Sequence, residues 1–252
     1  EAFNENALDK EDEAGSADMK RCAAVMLKMA GMNKNDPAAA EPLIRELAEL
    51  CGRIYGKKHP ETLMNLSSLG TILIQTGRSA EAIPILEEVL TAKPPHGEEM
   101  AMMRASAKEG LGRCYIDVGR TAESFQMLEE AVDYLIEKGP TDSFELFNSM
   151  SFLAERYVLS DRIEEARQLQ AQLRAIAQTT DHIKPTHLLE YEISFARALS
   201  KKRYYEEASQ ALRQICEDSL RIHGKDSGKY ADQLTNLGNN LYHLKRHEET
   251  RA

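Results

Sequence analysis

Large apolar residues recur along the chain at an interval of 42 residues, with small residues at fixed distances from them. The apolar column consists of Leu27, Leu69, Leu111, Leu153, Phe195 and Leu237. The residues that directly follow them are mostly small: Lys28, Gly70, Gly112, Ala154, Ala196 and Gly238. A second column of small residues lies thirteen positions after the first: Ala40, Ala82, Ser124, Ala166, Ala208 and Thr250. Agreement at several columns without gaps indicates an internal repeat.

Each repeat predicts a pair of helices. Leu66, Leu69 and Leu73 have the spacing of one helical face, and a break such as Gly77-Arg78 follows them. A second apolar stripe then starts at Ala82. Small residues at both columns allow the backbones of the two helices to approach closely, and links rich in Gly, Pro and His separate the repeats.

The pattern therefore predicts an all-α solenoid of about six antiparallel helix pairs. We expect an acidic, partly disordered lead-in over residues 1–18 and a single solenoid over residues 19–252. The repeats cover about 21–58, 63–100, 105–142, 147–184, 189–226 and 231–252. The first repeat departs most from the pattern, at Lys28 and Gly31. The last stops inside its second helix, so we expect further sequence beyond residue 252.

The segment HPETLMNLSSLGTILIQTGRSAEAIPILEEVL, residues 59–90, resembles a tetratricopeptide repeat. The 42-residue period and the His-Pro link resemble the kinesin-light-chain-type subclass, and residues 228–250 are similar, with Leu234, Asn236 and Leu237 in the matching positions. The resemblance covers roughly residues 20–252. It implies a right-handed superhelix whose concave groove, lined by the first helix of each pair, holds a protein or peptide segment.

The resemblance also implies that exposed positions of the first helices are the contacts. The candidate peptide-binding residues are Ser67, Thr71, Gln75, Glu109, Arg113, Asp117, Glu155, Arg197, Lys201, Asn236, Asn239 and His243. An asparagine amide both donates and accepts, which suits a peptide backbone. Cations such as Arg113 and Arg197 can receive acidic side chains or a terminal carboxylate. The acids interleaved with them can equally pair with these cations across neighbouring helices, so the charge of the ligand stays open.

Composition narrows the class of partner and the compartment. The net charge is −9 and the sequence pI about 5.4, without a long Lys/Arg run, which argues against nucleic acid and anionic membrane surfaces. No stretch approaches the ~20 apolar residues of a membrane span. The four cysteines are far apart: Cys22, Cys51, Cys114 and Cys216. They fit small packing residues in a reducing compartment, which favours a cytoplasmic location.

Candidates for chemistry are few. His243 and His247 are separated by a predicted helix break, and His182 and His187 lie in a Pro-containing link. Neither pair has a third ligand, which a metal site needs. Nucleotide-binding loops, nucleophile elbows and zinc-protease motifs do not occur in the sequence. We expect no catalytic residue, no metal and no cofactor.

Three functions remain open. The first is a non-catalytic scaffold or adaptor that binds proteins or peptides. The second is a regulatory or sensor domain of a larger enzyme, such as one linked to a kinase. The third is a self-assembling structural module, for which apolar groove positions would be exposed at Ile74, Ile116, Val158 and Leu159. A monomer is favoured over an oligomer.

Overall fold

The computed structural model describes residues 2–31, 36–92, 101–138, 143–179 and 183–245. Within these ranges the chain forms α-helices and no β-strand. The helices are α1 (Ala2–Ala30), α2 (Pro37–Ile54), α3 (Pro60–Gln75), α4 (Ser79–Thr91), α5 (Ala101–Asp117), α6 (Thr121–Lys138), α7 (Phe144–Leu159), α8 (Ile163–Thr179), α9 (Pro185–Lys201), α10 (Tyr205–His223) and α11 (Gly228–His243). The predicted all-α class is confirmed.

The chain divides into two compact units, residues 1–139 and 140–252. The first, called the N-terminal unit below, contains α1–α6, and the second, the C-terminal unit, contains α7–α11. Each has its own apolar core. That residues 19–252 form a single continuous solenoid, and that its superhelix is right-handed, both stay predictions.

A three-residue turn joins the two helices of a repeat, as between α3 and α4. Gly77 takes a left-handed φ of 75°, the N–H of Arg78 donates to the carbonyl of Leu73 at 2.7 Å, and that of Gly77 to Ile74 at 3.0 Å. This Schellman motif satisfies two carbonyls that the end of α3 leaves open. The same left-handed conformation recurs every 42 residues, at Gly119, Asp161, Arg203 and Lys245. The turn is therefore a property of the repeat.

The two columns of small residues are points of close contact in the N-terminal unit. A Cβ atom on Gly70 would lie 2.5 Å from Cδ2 of Leu86, and one on Gly112 would lie 2.6 Å from Cγ of Leu128. Ala82 of the second column is fully buried. Helices α3 and α4, and likewise α5 and α6, thus approach as closely as the sequence predicts.

The C-terminal unit uses the same columns, with alanine in place of glycine in its first two repeats and Gly238 in the last. Its buried small residues are Ala154, Ala166, Ala196 and Ala208. Leu153 is buried in the apolar column, whereas Phe195 and Leu237 are half-buried. Each fully buried leucine contributes about 2 kcal/mol of burial free energy, so these columns account for much of the core. The second helix predicted for the last repeat, including Thr250, lies outside the described residues.

The first repeat departs from the 42-residue register, and the prediction for Leu27 is wrong. Leu27 is 75% exposed, whereas Cys22 and Val25 are buried against α2. Six residues, 31–36, separate α1 from α2, whereas three separate α3 from α4. The connection thus has three more residues than the one between α3 and α4, and the buried residues of α1 fall outside the 42-residue register.

Helix α1 begins at Ala2 and therefore runs through most of the acidic segment, residues 1–18, for which the sequence suggested partial disorder. Near the end of that segment Asp18 accepts a hydrogen bond from Arg53 of α2 at 2.7 Å. This hydrogen bond lowers the pKa of the Asp18 carboxyl. The C-terminal half of α1 is thus tied to the repeat array by an ion pair as well as by its apolar face.

The four cysteines are buried free thiols, in agreement with the predicted packing role. Burial, together with the nearby Cys22, raises the pKa of the Cys51 thiol to about 11. A thiol with a raised pKa is a poor nucleophile at neutral pH. In the described part of the chain, no helix combines the length and the apolar character that crossing a membrane requires.

Candidate functional site

The groove residues predicted on α3 and α5 differ widely in exposure. Thr71, Gln75 and Asp117 are exposed, and Glu109 and Arg113 are half-buried. Ser67 is only 7% exposed, so its predicted role as an exposed contact is corrected. Ile74, two helical turns further along the same face of α3, lies close to Gly110 of α5. This face therefore contacts the neighbouring helix, which explains the burial of Ser67.

The predicted charges of the groove in the N-terminal unit already have partners within the protein. Arg113 forms an ion pair with Glu109 one turn away on the same helix, at 2.8 Å. The carboxylate of Asp117 accepts a hydrogen bond from the hydroxyl of Ser79 on α4. The pairing of groove acids with cations across neighbouring helices stays a prediction for this unit.

Helix α7 of the C-terminal unit offers few free groups. Glu155 pairs with its neighbour Arg156. Val158 is fully buried, and Leu159 is half-buried. Ile74 and Ile116 are also half-buried, and Ile74 packs against the core. The expectation that these four apolar side chains are exposed is corrected, and with it the sequence argument for a self-assembly surface.

Five of the predicted site residues meet in one pocket of the C-terminal unit, which we call the α9–α11 pocket. It has a volume of about 310 Å³. It is lined by Arg197, Ser200, Lys201, Tyr205, Leu212, Asn236, Asn239, Asn240 and His243. Three elements build it: the C-terminal half of α9, the first turns of α10, and the C-terminal half of α11. Helical spacing brings the predicted residues of α9 and α11 together because both helices lie in equivalent positions of successive repeats.

The charge of the α9–α11 pocket is positive. Arg197 and Lys201 are four residues apart on α9 and therefore share a face. Both are exposed, and no carboxylate of the described residues forms an ion pair with either of them. The lining contains no acidic residue. The pocket thus presents two uncompensated cations to a ligand.

Amide groups form the wall contributed by α11. Asn236 donates to Oε1 of Gln233 at 3.2 Å, and Asn239 is exposed. Asn240 is 4% exposed, and its Nδ2 donates to the carbonyl of Asn236 at 2.8 Å. The Oδ1 of Asn240 is buried without a hydrogen-bond partner. Such an unsatisfied acceptor costs free energy unless a further donor reaches it.

An aromatic pair closes one side of the pocket. The rings of Tyr205 and His243 stack at a centroid distance of 4.6 Å with an angle of 10° between their planes. The sequence prediction missed Tyr205 because it considered only the first helix of each repeat. It also missed Asn240, whose equivalents one and two repeats earlier along the groove helices are Ala198 and Arg156. The other residues at this position of the repeat are mostly small or apolar: Ala30, Ile72, Cys114, Arg156 and Ala198. The amide of Asn240 in such a column could have indicated a binding residue.

A second pocket, the α8–α10 cleft, lies between the second helices of two successive repeats. Its volume is about 610 Å³, and its lining includes Phe195 and Gln170. The arginines in it are already paired: Arg174 with Glu192 at 2.7 Å, and Arg167 with acids of both α8 and α10. The cleft is larger than the α9–α11 pocket. Because its arginines are already paired, they are not free to hold an anionic ligand.

The predicted histidine pairs are described only in part, because His182 and His247 lie outside the described residues. His187 contacts Phe144 edge to face, at 5.7 Å between ring centroids. Across the described ranges, no three His, Cys, Asp or Glu side chains converge as a metal site would need. The predicted site residues that do come together are therefore those that line the α9–α11 pocket.

Comparison with known proteins agrees with this architecture. Residues 22–94 match the family model of the tetratricopeptide repeat. No curated protein matches the chain in sequence. A variant of a Podosopora anserina protein assigned to the kinesin light chains, with nearly identical TPR-like repeats, has a similar structure with a TM-score of 0.64 and 21% identity. The alignment covers 84% of this chain and 98% of the other.

A further similar structure is BtubC (BKLC) from P. vanneervenii, with a TM-score of 0.66 and 14% identity over 85% of each chain. At these identities the likeness concerns the fold. Residues 22–94 thus match the tetratricopeptide repeat model, and the chain has a fold similar to that of these repeat proteins over about 85% of its length.

Proposed function

We propose that this protein is a non-catalytic scaffold or adaptor that holds a protein or peptide segment in the groove formed by the first helices of its repeats. The observation that carries the proposal is the α9–α11 pocket, where two unpaired cations and three asparagines converge. The tetratricopeptide-repeat fold is consistent with a role in protein interaction. We further propose a cytoplasmic location, since all four cysteines are free thiols.

The chemistry of the pocket suits an extended peptide. Asn236 and Asn239 lie on one side of α11, and an asparagine amide offers a donor and an acceptor that match those of a peptide bond. Leu212 supplies an apolar wall, and the Tyr205–His243 stack supplies a flat one. A bound segment would thus be held by its backbone and its side chains together.

A peptide-display selection tests the proposal. The selection is carried out against the parent chain, an Arg197→Glu variant and an Arg203→Glu variant, with circular dichroism to verify folding. We expect a motif that is enriched by the parent and by Arg203→Glu, but lost with Arg197→Glu. Arg203 is the matched control because it is an exposed arginine of the same unit that does not line the pocket. A motif that all three proteins retain would place the site elsewhere and overturn the proposal for this pocket.

A further inference from the structure

Most arginines of the described residues are engaged with an acid, as Arg53 is with Asp18. Arg197 and Arg203 have no acid paired with them within these residues, and of the two only Arg197 lines the α9–α11 pocket. Lys201 is unpaired as well within the described residues, and it lies one helical turn from Arg197. On a protein surface where acids outnumber bases, two adjacent cations without a counter-charge form a site for an anion.

A second, independent observation also indicates a ligand. The Oδ1 of Asn240 is buried, has no partner, and belongs to a side chain that lines the same pocket. Because this oxygen has almost no accessible surface, the N–H group of a ligand reaches it only when the Asn240 side chain turns toward the pocket. The pocket therefore offers two exposed cations for an anionic group and, after that rotation, an acceptor for an N–H.

We propose that the α9–α11 pocket recognises a phosphorylated side chain, of the phosphoserine class, on the peptide that it binds. This inference rests on the proposed function, because the phosphoryl group arrives as part of a peptide. Arg197 and Lys201 hold the phosphoryl oxygens, and the exposed amide of Asn239 donates a further hydrogen bond. After rotation of its side chain, Asn240 accepts a backbone N–H of the peptide with Oδ1.

The charge count favours a phosphoryl group over a carboxylate. A phosphoserine carries a charge of about −1.5 to −2 at neutral pH and has three terminal oxygens. Two cations without an acid in the lining match that charge, whereas a single carboxylate would leave one of them uncompensated. The planar guanidinium of Arg197 can bind two phosphoryl oxygens at once, and the ammonium of Lys201 acts as a point charge on the third.

The test uses three pools of degenerate peptides that differ only in a fixed central residue: phosphoserine, serine or glutamate. Binding of each pool to the purified full chain is measured by fluorescence polarisation at about 0.15 M salt, where charges beyond roughly 8 Å are screened. We expect the phosphoserine pool to bind at least tenfold more tightly than the serine pool, with the glutamate pool between them.

Single charge-removing variants locate the effect. Arg197→Gln and Lys201→Gln should each reduce binding of the phosphoserine pool about tenfold, and Arg197→Lys should lose part of it because the two-oxygen contact is gone. The matched control is Arg203→Gln, which removes the same charge from an exposed arginine of the same unit that does not line the pocket. Its binding should equal that of the parent. Thermal unfolding followed by circular dichroism verifies that every variant folds.

The outcomes separate this inference from the proposed function. Equal binding of the three pools, combined with loss of binding on Arg197→Gln, would overturn phosphate recognition and leave peptide binding in the pocket intact. Tightest binding of the glutamate pool would also overturn it, in favour of a carboxylate ligand. Failure of every pool to depend on Arg197 would overturn both.

Discussion

Gln170 shows how a single residue departs from the repeat that surrounds it. Its equivalents 42 and 84 residues away are Leu86, Leu128 and Leu212, all buried apolar side chains of second helices. Gln170 is 4% exposed, and neither atom of its amide group has a hydrogen-bond partner. A buried amide without partners costs roughly 1–3 kcal/mol. The position is therefore a weak point in the core of the C-terminal unit.

Replacing Gln170 by leucine should stabilise the protein by about 2 kcal/mol, because the substitution removes two unsatisfied groups at nearly constant volume. Urea unfolding measures the change. Gln210→Leu serves as the control, since Gln210 is exposed in the same cleft and its substitution should change stability by less than about 0.5 kcal/mol. Equal effects of the two substitutions would contradict the assignment of Gln170 as a strained core residue.

Gly119 is a position where the backbone conformation, and not a close contact, favours glycine. Its φ is 78°, and a Cβ atom built on it would meet no atom within 4 Å. Gly119→Ala should therefore destabilise the protein by about 1 kcal/mol through backbone strain alone. Thermal unfolding compares it with Gly228→Ala at the start of α11, where the surrounding space is equally open and φ is not left-handed. A loss of stability in both variants would show that strain is not the cause.

At the scale of elements, the contact between a glycine of one helix and a leucine of the next sets the distance within the pairs α3–α4 and α5–α6. Gly70 of α3 and Leu86 of α4 are such a pair, and a side chain on Gly70 would overlap both Cδ2 and Cγ of Leu86. Leu86 is 1% exposed and cannot move outward without disturbing the core. The helix pair is therefore intolerant of even one added carbon.

Gly70→Ala should destabilise the protein by about 1–3 kcal/mol, the usual cost of overpacking a core. The effect should be largely absent in a Leu86→Ala background, because the overlapping atoms are then gone. A double-mutant cycle by urea unfolding measures the coupling. If the two substitutions are additive, the glycine is not kept small by Leu86.

At the scale of the whole molecule, ion pairs repeat with the turns. Arg78, Arg120 and Arg162 each pair with the glutamate three residues later, in the first turn of the second helix. Hydrogen bonds from these arginines lower the pKa values of the carboxyl groups concerned, those of Glu81, Glu123 and Glu165. The same charge pattern thus recurs in both compact units.

These pKa shifts predict acid sensitivity. Because the folded-state pKa of each glutamate is below its unfolded value of about 4.3, the stabilisation is complete above that pH and is lost as the pH falls further. We expect the melting temperature to fall below about pH 4.3, with a smaller fall in the triple variant Glu81→Gln/Glu123→Gln/Glu165→Gln. The control is Glu88→Gln, at an exposed position outside these pairs. The melting temperature of this variant should fall with pH as that of the parent does. An identical acid transition in all three proteins would disprove the assignment.

The sequence alone determined the class, the repeat and much of the packing. A period of 42 residues with small residues at two columns is enough to predict paired helices, because only close helix contacts require small side chains at fixed spacing. It also placed Arg197, Lys201, Asn236, Asn239 and His243 on first helices, where the structure joins them in one pocket. Whether they bind a peptide stays a prediction.

Only the tertiary structure decided which of these side chains are free. The Glu109–Arg113 pair, four residues apart on one helix, is readable from the sequence. The bond from Ser79 of α4 to Asp117 is not, because it depends on how two helices meet. Ser67 is buried because its face of α3 meets the next helix, and Leu27 is exposed although the 42-residue register places it in the core. Such outcomes depend on the rotation of each helix and on the partners it meets, which a periodic pattern averages over.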